Sequence, residues 1–585
     1  MIKILKKLNK TELFMGFFAL VFIVAQVWLD LKLPDYMSEI TRLTQTPGSE
    51  MSQIWIAGIK MLICALGSFI SAVTVGYLAS KIAASFSARL RSMLFSKVDS
   101  FSMEEINLFS TSSLITRSTN DVTQIQMIIT IGLQLMIKSP IMVVWAISKI
   151  AGKGFEWTVA TGLVVLVMIT VIATVMYFVY PKFRIMQSLT DNINRVMREN
   201  LSGLPVVRAY NAEVYQENKF EIANNELTDT QLYTSRAMAI MMPVITTMMS
   251  ALSLIIYWIG AVLINSAQMM DKLNIFSNMV VFSSYAMQVI VSFMMLVMVF
   301  ILAPRASVSA KRINEVLETK ARIKSGDVLE GLPGYEGEVV FKDVSFKYPD
   351  ASDYVLHNIS FTANRGETIA FIGSTGSGKS SIINLIPRFF DATEGEIFIN
   401  GVEIKEYDLD ALRRMIGYVP QKSFMFMGTV ESNVNFGDKS LDNTMEDVKK
   451  AISIAQAQDF VENMGNEYNS EITQGGTNLS GGQKQRLSIA RAIARKPMFY
   501  IFDDSFSALD YRTDRILRST LKRETSGVTT FIVAQRIGTI MDADKILVVD
   551  KGEIVGIGKH YELLERCEVY REIALSQLSE EELSA

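Results

Sequence analysis

Hydrophobic and polar positions divide this chain into two textures. Before about residue 303 apolar runs dominate, and six of them, roughly 13–33, 54–80, 127–148, 157–180, 240–265 and 275–302, are long enough to cross a bilayer. A crossing helix needs about 20 mostly apolar residues. Lipid tolerates only helices and closed barrels, because every backbone N–H and C=O must be satisfied internally. These runs lack the alternation of barrel strands, so the pattern predicts transmembrane helices. A single run of this kind could be a buried core helix. Six in succession, unrelieved by amphipathic stretches, define a membrane domain.

The connections carry as much information as the runs. Two on one side, about 81–126 and 181–239, are long yet poor in helix breakers. They read as helices continuing well past the membrane, with short turns at tips near Asn107–Ser113 and Tyr210–Tyr215. Loops on the other side are short, near Gly152–Glu156 and Gln268–Asn274. The first side carries nineteen Lys and Arg, among them Lys3, Arg89, Lys182 and Arg305, against five on the second: Lys32, Arg42, Lys149, Lys153 and Lys272. The positive-inside bias makes the first side cytoplasmic and places both termini there.

From Glu338 onward short β-rich runs appear, including Val339–Phe346, Thr368–Ile372, Phe499–Phe502 and Thr529–Val533, several of them separated by helical patterns. That alternation predicts an α/β domain with a largely parallel sheet. The expected division is a membrane domain over 1–320, a linker over 321–337, the α/β domain over 338–575 and an acidic tail over 576–585 that reads as a frayed end.

Composition narrows the class. A mean hydropathy of +0.26 excludes disorder and a wholly soluble enzyme. The formal charge of −3 offers nothing to nucleic acid. Two cysteines (Cys64, Cys567) and two histidines (His357, His560) exclude a disulfide framework and a Cys- or His-built metal site. The lysines before the first run could open a signal peptide, but no small-residue cleavage site follows, and more long apolar runs do.

The strongest chemical signal is the phosphate loop Gly373, Ser374, Thr375, Gly376, Ser377, Gly378, Lys379 and Ser380, preceded by an apolar strand and followed from Ser381 by a helical pattern. Glycines let backbone N–H groups wrap phosphates, and the helix N-terminus adds positive potential. Lys379 can reach the β- and γ-phosphates, and the Ser380 hydroxyl can ligate Mg²⁺. A second motif is Leu479, Ser480, Gly481, Gly482 and Gln483 before a helical run; alone it is a capped helix start. A third is the strand Phe499–Phe502 ending in Asp503, a carboxylate placed to order Mg²⁺.

In this order the three motifs resemble the ATP-binding-cassette transporters, and among them exporter half-transporters with six spans fused to one nucleotide-binding domain. The resemblance runs from the first span to about residue 575. It implies ATP and Mg²⁺ as cofactors, with ATP held by Gly373–Ser381 and sandwiched between two domains facing head to tail. It further implies adenine stacking on Tyr348, a Mg²⁺ contact from Gln421 beside Ser380 and Asp503, and dimer communication through Asp510. Ser480, Gly481, Gly482 and Gln483 would contact ATP held by the partner. The tips would be the coupling helices that rest on the ATPase domains.

Two positions depart from the family pattern. The residue after Asp503, usually the Glu that polarises the attacking water, is Asp504, one methylene shorter. The switch histidine is replaced by Gln535, an amide that hydrogen-bonds but carries no proton or charge. Both act on the γ-phosphate, while the signature is intact. This asymmetry resembles the degenerate-site subunit of bacterial heterodimeric multidrug exporters. It implies a second, different half-transporter that carries Glu and His and an altered signature. The loop Ile472–Thr477 also lacks the Glu and Arg common there.

The membrane half gives fewer signals. Lys138 reads as a lysine near the cytoplasmic end of its helix, snorkelling or paired, or else as a cavity-lining anionic contact; Asp30 reads as interfacial. Met residues crowd the last two spans, either as packing or as a polyspecific pocket with Tyr285, Gln288 and Phe293. The expectation is ATP-driven export of amphipathic or lipophilic compounds across a bacterial plasma membrane. A peptide or lipid exporter, or an ATP-gated sensor without transport, are the alternatives.

Overall fold

The computed structural model of the chain describes residues 2–578 apart from 47, 152–153, 350 and 438–442. The predicted frayed end from Ser579 and part of the short outer loop at Gly152 lie outside them. Contacts divide the chain into two units, Met1–Asp99 with Ser112–Thr319, and Ser100–Thr111 with Lys320–Ala585.

In the first unit, six helices among the described residues are long and apolar enough to cross a membrane: Lys10–Gln45, Met51–Asp99, Thr111–Ile150, Phe155–Ser202, Glu213–Ser266 and Asp271–Leu296. The last belongs to a helix that continues over Met269–Glu318. The first five predicted runs each fall inside one of these spans, and the sixth inside Met269–Glu318. The second helix has 49 residues, about 70 Å at a rise of ~1.5 Å per residue. That is more than twice the ~30 Å of a hydrocarbon core, so the helices do extend beyond the membrane. Pro34, Pro140, Pro181 and Pro243 sit inside spanning helices, where neighbouring helices can re-satisfy the freed carbonyls.

The unit's core gathers Val27, Trp157, Ile245, Phe282 and Tyr285. The Trp157 indole N–H donates to Ile256 O at 3.1 Å. Trp55, Phe69, Val144 and Trp258 point outward and are exposed, an arrangement that suits lipid contact. The second tip is a short helix, Leu204–Ala209, with Pro at its N-terminal end, and it precedes the expected turn at Tyr210.

The first tip is grouped with the second unit. It too is a helix, Met103–Phe109, rather than a plain turn. Ser102 caps it in a capping box with Glu105. Glu105 is buried and accepts the Arg322 N–H at 3.0 Å. Burial alone would raise its pKa, but the Ser102 hydroxyl and the N–H groups of Arg322 and Ser102 outweigh it and hold the carboxyl below the ordinary glutamate value.

The main sheet of the second unit runs, edge to edge, Glu553–Gly558, Lys545–Asp550, Thr368–Ile372, Thr529–Val533, Phe499–Asp503 and Ile416–Val419. Its pairings are parallel except that of the outermost Glu553–Gly558 strand. Along Thr368–Ile372, Ile369 and Phe371 enter one core cluster while Ala370 and Ile372 enter another. Both faces are covered, as a parallel sheet requires. A smaller antiparallel sheet contains Val339–Phe346 between Leu356–Ala363 and Glu394–Ile399. The segment read as a linker is strapped to this unit: Gly326 N donates to Tyr407 O at 2.8 Å and Leu332 N to Asn400 O at 2.9 Å.

Candidate nucleotide site

Parallel strands carry their C-terminal ends to one edge, where ligands bind in open α/β sheets. Register brings three segments together there. Val533 lies beside Phe371 on one side and Asp503 on the other. The Gly373 loop, the Asp503–Asp504 pair and Gln535 therefore share one edge.

The phosphate loop leaves its strand through Gly373 at φ 154° and enters the helix Lys379–Leu385 through Gly378 at φ 102°. A side chain at Gly373 would collide with the Val549 carbonyl, and one at Gly378 with Leu356. Ser374, Thr375 and Gly376 form the exposed lip, and Ser377 is buried beneath it. The Lys379 ammonium curls back onto Gly373 O (2.9 Å), Ser374 O (2.7 Å) and Ser377 Oγ (3.4 Å). Burial lowers its pKa, against the opposing pull of Asp504 and Asp503. A buried ammonium bonded only to neutral oxygens suits an incoming phosphate.

Ser380 Oγ donates to Asp503 Oδ1 at 2.9 Å. Burial raises the Asp503 pKa, and the Ser380 bond only partly offsets this. A hydroxyl and a buried carboxylate in contact form the oxygen donor set that Mg²⁺ prefers. The Ser381 hydroxyl is 3.0 Å from Tyr348 OH, and the Tyr348 ring stands edge-on to Phe346 and Phe390. That bond ties the predicted adenine platform to the helix carrying Lys379.

Asp504 sits at the left-handed φ of 46°. Its N–H donates to Val533 O at 3.0 Å, and its carbonyl accepts the Ser507 hydroxyl at 2.9 Å. Its Oδ2 accepts two amide N–H groups, from Gln535 at 2.8 Å and Gln421 at 3.3 Å. The family resemblance implied Asp504 and Gln535 at the γ-phosphate and Gln421 at Mg²⁺, without showing that the three grip one another.

Ser480 caps the helix Gly481–Ala494 in a reciprocal box: Ser480 N donates to Gln483 Oε1 at 2.9 Å, and Gln483 N to Ser480 Oγ at 3.3 Å. Ser480 and Gly481 are exposed. Among the described residues no hydrogen bond joins this tip to the chain's own phosphate loop. Asp510 caps the helix Tyr511–Glu524 by accepting Thr513 N at 2.9 Å, and that helix-start bonding holds its carboxyl below the usual range.

Residues 356–507 match the ABC transporter family and residues 16–293 its transmembrane region. An uncharacterized ABC transporter ATP-binding protein of Mycobacterium tuberculosis is 39% identical, over 89% of this chain and 88% of its own. The chain belongs to the ABC transporters. The uncharacterized ABC transporter ATP-binding protein YfiB of Bacillus subtilis is 34% identical over 91% of each chain. The ATP-dependent lipid A-core flippase of Pseudomonas aeruginosa is 32% identical over 85% of this chain and 80% of its own. The fold is that of a bacterial Atm1-family ABC exporter solved with ATP bound, at a TM-score of 0.79 and 23% identity, covering 97% and 99% of the two chains. This ABC transporter is thus an exporter half, a membrane domain fused to an ATP-hydrolysing domain. It is a multi-pass membrane protein whose ATPase domain is cytoplasmic and, as in the family, binds ATP with Mg²⁺.

In the membrane domain the structure revises the placement of Lys138 and gives it a partner. Lys138 lies past the midpoint of the 31-residue helix Asn120–Ile150, not near its cytoplasmic end. It pairs with Asp30 at 3.1 Å, and Asp30 also accepts the Ser68 hydroxyl. Asp30, read as interfacial, is thus also an inter-helix ion-pair partner. Tyr285 is fully buried and donates to Asp35 at 2.7 Å, whereas Met287, Gln288 and Met295 line a cavity.

Proposed function

We propose that this chain is the degenerate-site half of a heterodimeric exporter that moves amphipathic or lipophilic compounds out of a bacterial cell. Its own loop, Gly373–Ser381, holds ATP; Ser380, Asp503 and Gln421 hold Mg²⁺; Ser480, Gly481, Gly482 and Gln483 complete the site on the partner. ATP supplies the association energy that closes the two ATPase domains, and the tip helices pass that closure to the spans.

The observation that carries the reading is the Asp504 clamp. A general base must meet the attacking water with a free acceptor. Here Asp504 Oδ2 already takes two amide N–H bonds, which fix the carboxylate's orientation and leave only Oδ1 to meet water. Its stem is also one methylene shorter than the glutamate of the family pattern, and a misplacement of about 1 Å can cost on the order of 100-fold in rate. Both features favour a site that grips nucleotide and turns it over slowly. The test is to purify the tagged chain from its native membrane, identify what co-purifies, and compare ATP turnover of the lone chain with that of the pair. A different half-transporter and turnover confined to the pair are expected; full turnover by the lone chain contradicts the proposal.

A lipid substrate is the second reading, favoured by similarity to the lipid A-core flippase of Pseudomonas aeruginosa. Vesicle flux assays with lipid analogues and with lipophilic dyes distinguish the two.

A further inference from the structure

Within the membrane unit a cavity of about 460 Å³ opens between the helices Asn120–Ile150 and Met269–Glu318. Its wall is mixed. Met142, Met287, Val291 and Met295 supply apolar, adaptable surface, while Lys138, Ser139 and Gln288 supply polar groups. The ion pair is oriented across this wall: Lys138 lines the cavity, whereas its partner Asp30 does not and is held from behind by the Ser68 hydroxyl.

Two polar atoms here have no partner among the described residues, Ser139 Oγ and Gln288 Oε1. Ser139 is 1% exposed, and a buried hydroxyl without a hydrogen bond is costly. The Gln288 amide nitrogen is directed at the Asp30 carbonyl, at 3.5 Å. An ammonium has three donors, and Asp30 is the one carboxylate within ion-pair distance of Lys138 among the described residues. Donor capacity therefore remains on the cavity side. A purely structural ion pair would need neither the cavity nor the unmatched hydroxyl beside it.

We propose that this cavity binds the anionic head group of an amphipathic molecule, a long-chain carboxylate or phosphate monoester, through Lys138 and Ser139, with the apolar tail against Met142, Met287 and Met295. Oxyanions accept charge-assisted bonds from ammonium and hydroxyl donors together, and methionine walls adapt to tails of varied shape. The inference deepens the export reading, on which it rests, by naming a head-group class.

The test is equilibrium binding of radiolabelled dodecyl phosphate to the full chain in lipid nanodiscs, with empty nanodiscs as background. Unlabelled dodecyl phosphate and dodecanoate are expected to displace the label at concentrations at least about tenfold below those of dodecanol or dodecyltrimethylammonium. Inorganic phosphate, which has no tail, is expected to compete poorly. The double variant Lys138→Met/Asp30→Asn removes both charges, so neither is left unpaired; it should lose the anion preference while still binding ATP. Lys138→Arg should keep it. Equal displacement by all head groups, stronger displacement by the cation, competition by inorganic phosphate equal to that of dodecyl phosphate, or a preference surviving the double variant would each overturn the proposal.

A second measurement needs no variant. Dodecyl phosphate with a diazirine on its tail should label peptides carrying Met142, Met287 or Met295; labelling confined to outward residues such as Trp55 and Phe69 refutes the site. Binding is read without turnover, so the two ideas fail separately. A chain that binds these anions but never moves them sinks the export reading, whereas export indifferent to head group sinks only this inference.

Discussion

The two sides of the nucleotide site are built differently. On the phosphate-gripping side, consecutive residues Gly373–Ser381 form one loop and helix start, and Lys379 bonds only neutral oxygens. On the γ-phosphate side, Gln421, Asp504 and Gln535 come from three separate segments and engage one another, with both amides on a single carboxylate oxygen. One side rests its ammonium on neutral oxygens that a phosphate can replace, and the other has committed one carboxylate oxygen internally. In the proposed reading, binding and cleavage therefore draw on separable machinery within one edge of a sheet.

The largest effect is expected at the exposed signature tip, which in the proposed assembly serves the partner's nucleotide. A side chain at Gly481 meets no atom within 4 Å, so Gly481→Asp should fold. Its carboxylate would face the partner-held γ-phosphate, and ATP turnover of the pair should fall on the order of 100-fold or more; unchanged turnover would mean that this tip serves no working site. Lys379→Ala tests the gripping side. Nucleotide binding by the lone chain, read with a fluorescent ATP analogue, should weaken about 100-fold through loss of charge-assisted bonds.

Restoring the cleaving side should produce a smaller change of opposite sign. Asp504→Glu with Gln535→His is expected to raise lone-chain turnover about tenfold; no gain would show that the clamp does not limit the rate. The smallest effect belongs to the base platform. Tyr348→Leu should weaken nucleotide binding about fivefold, in keeping with the modest energy of aromatic stacking, and leave the pair's turnover at saturating ATP unchanged.

What could be read from the chain alone followed the same line. The phosphate loop was legible because its chemistry is contiguous, and the six spans because bilayer thickness fixes their length. The Asp504 clamp was not, because residues 421, 504 and 535 meet only through the pairing of Ile416–Val419, Phe499–Asp503 and Thr529–Val533. The Lys138–Asp30 pair was missed for a similar reason: apolar periodicity does not say which helices are neighbours. The first tip helix did leave a signal, since Ser102 followed three residues later by Glu105 is a capping-box pattern just before the stretch read as a turn.

The most direct test of the divided site is Asp504→Ala in the complex purified from its native membrane. If the partner-held site performs the hydrolysis, steady-state ATP turnover should change by less than about twofold. A loss of about tenfold or more would show that this chain's own carboxylate drives cleavage, and would contradict the account.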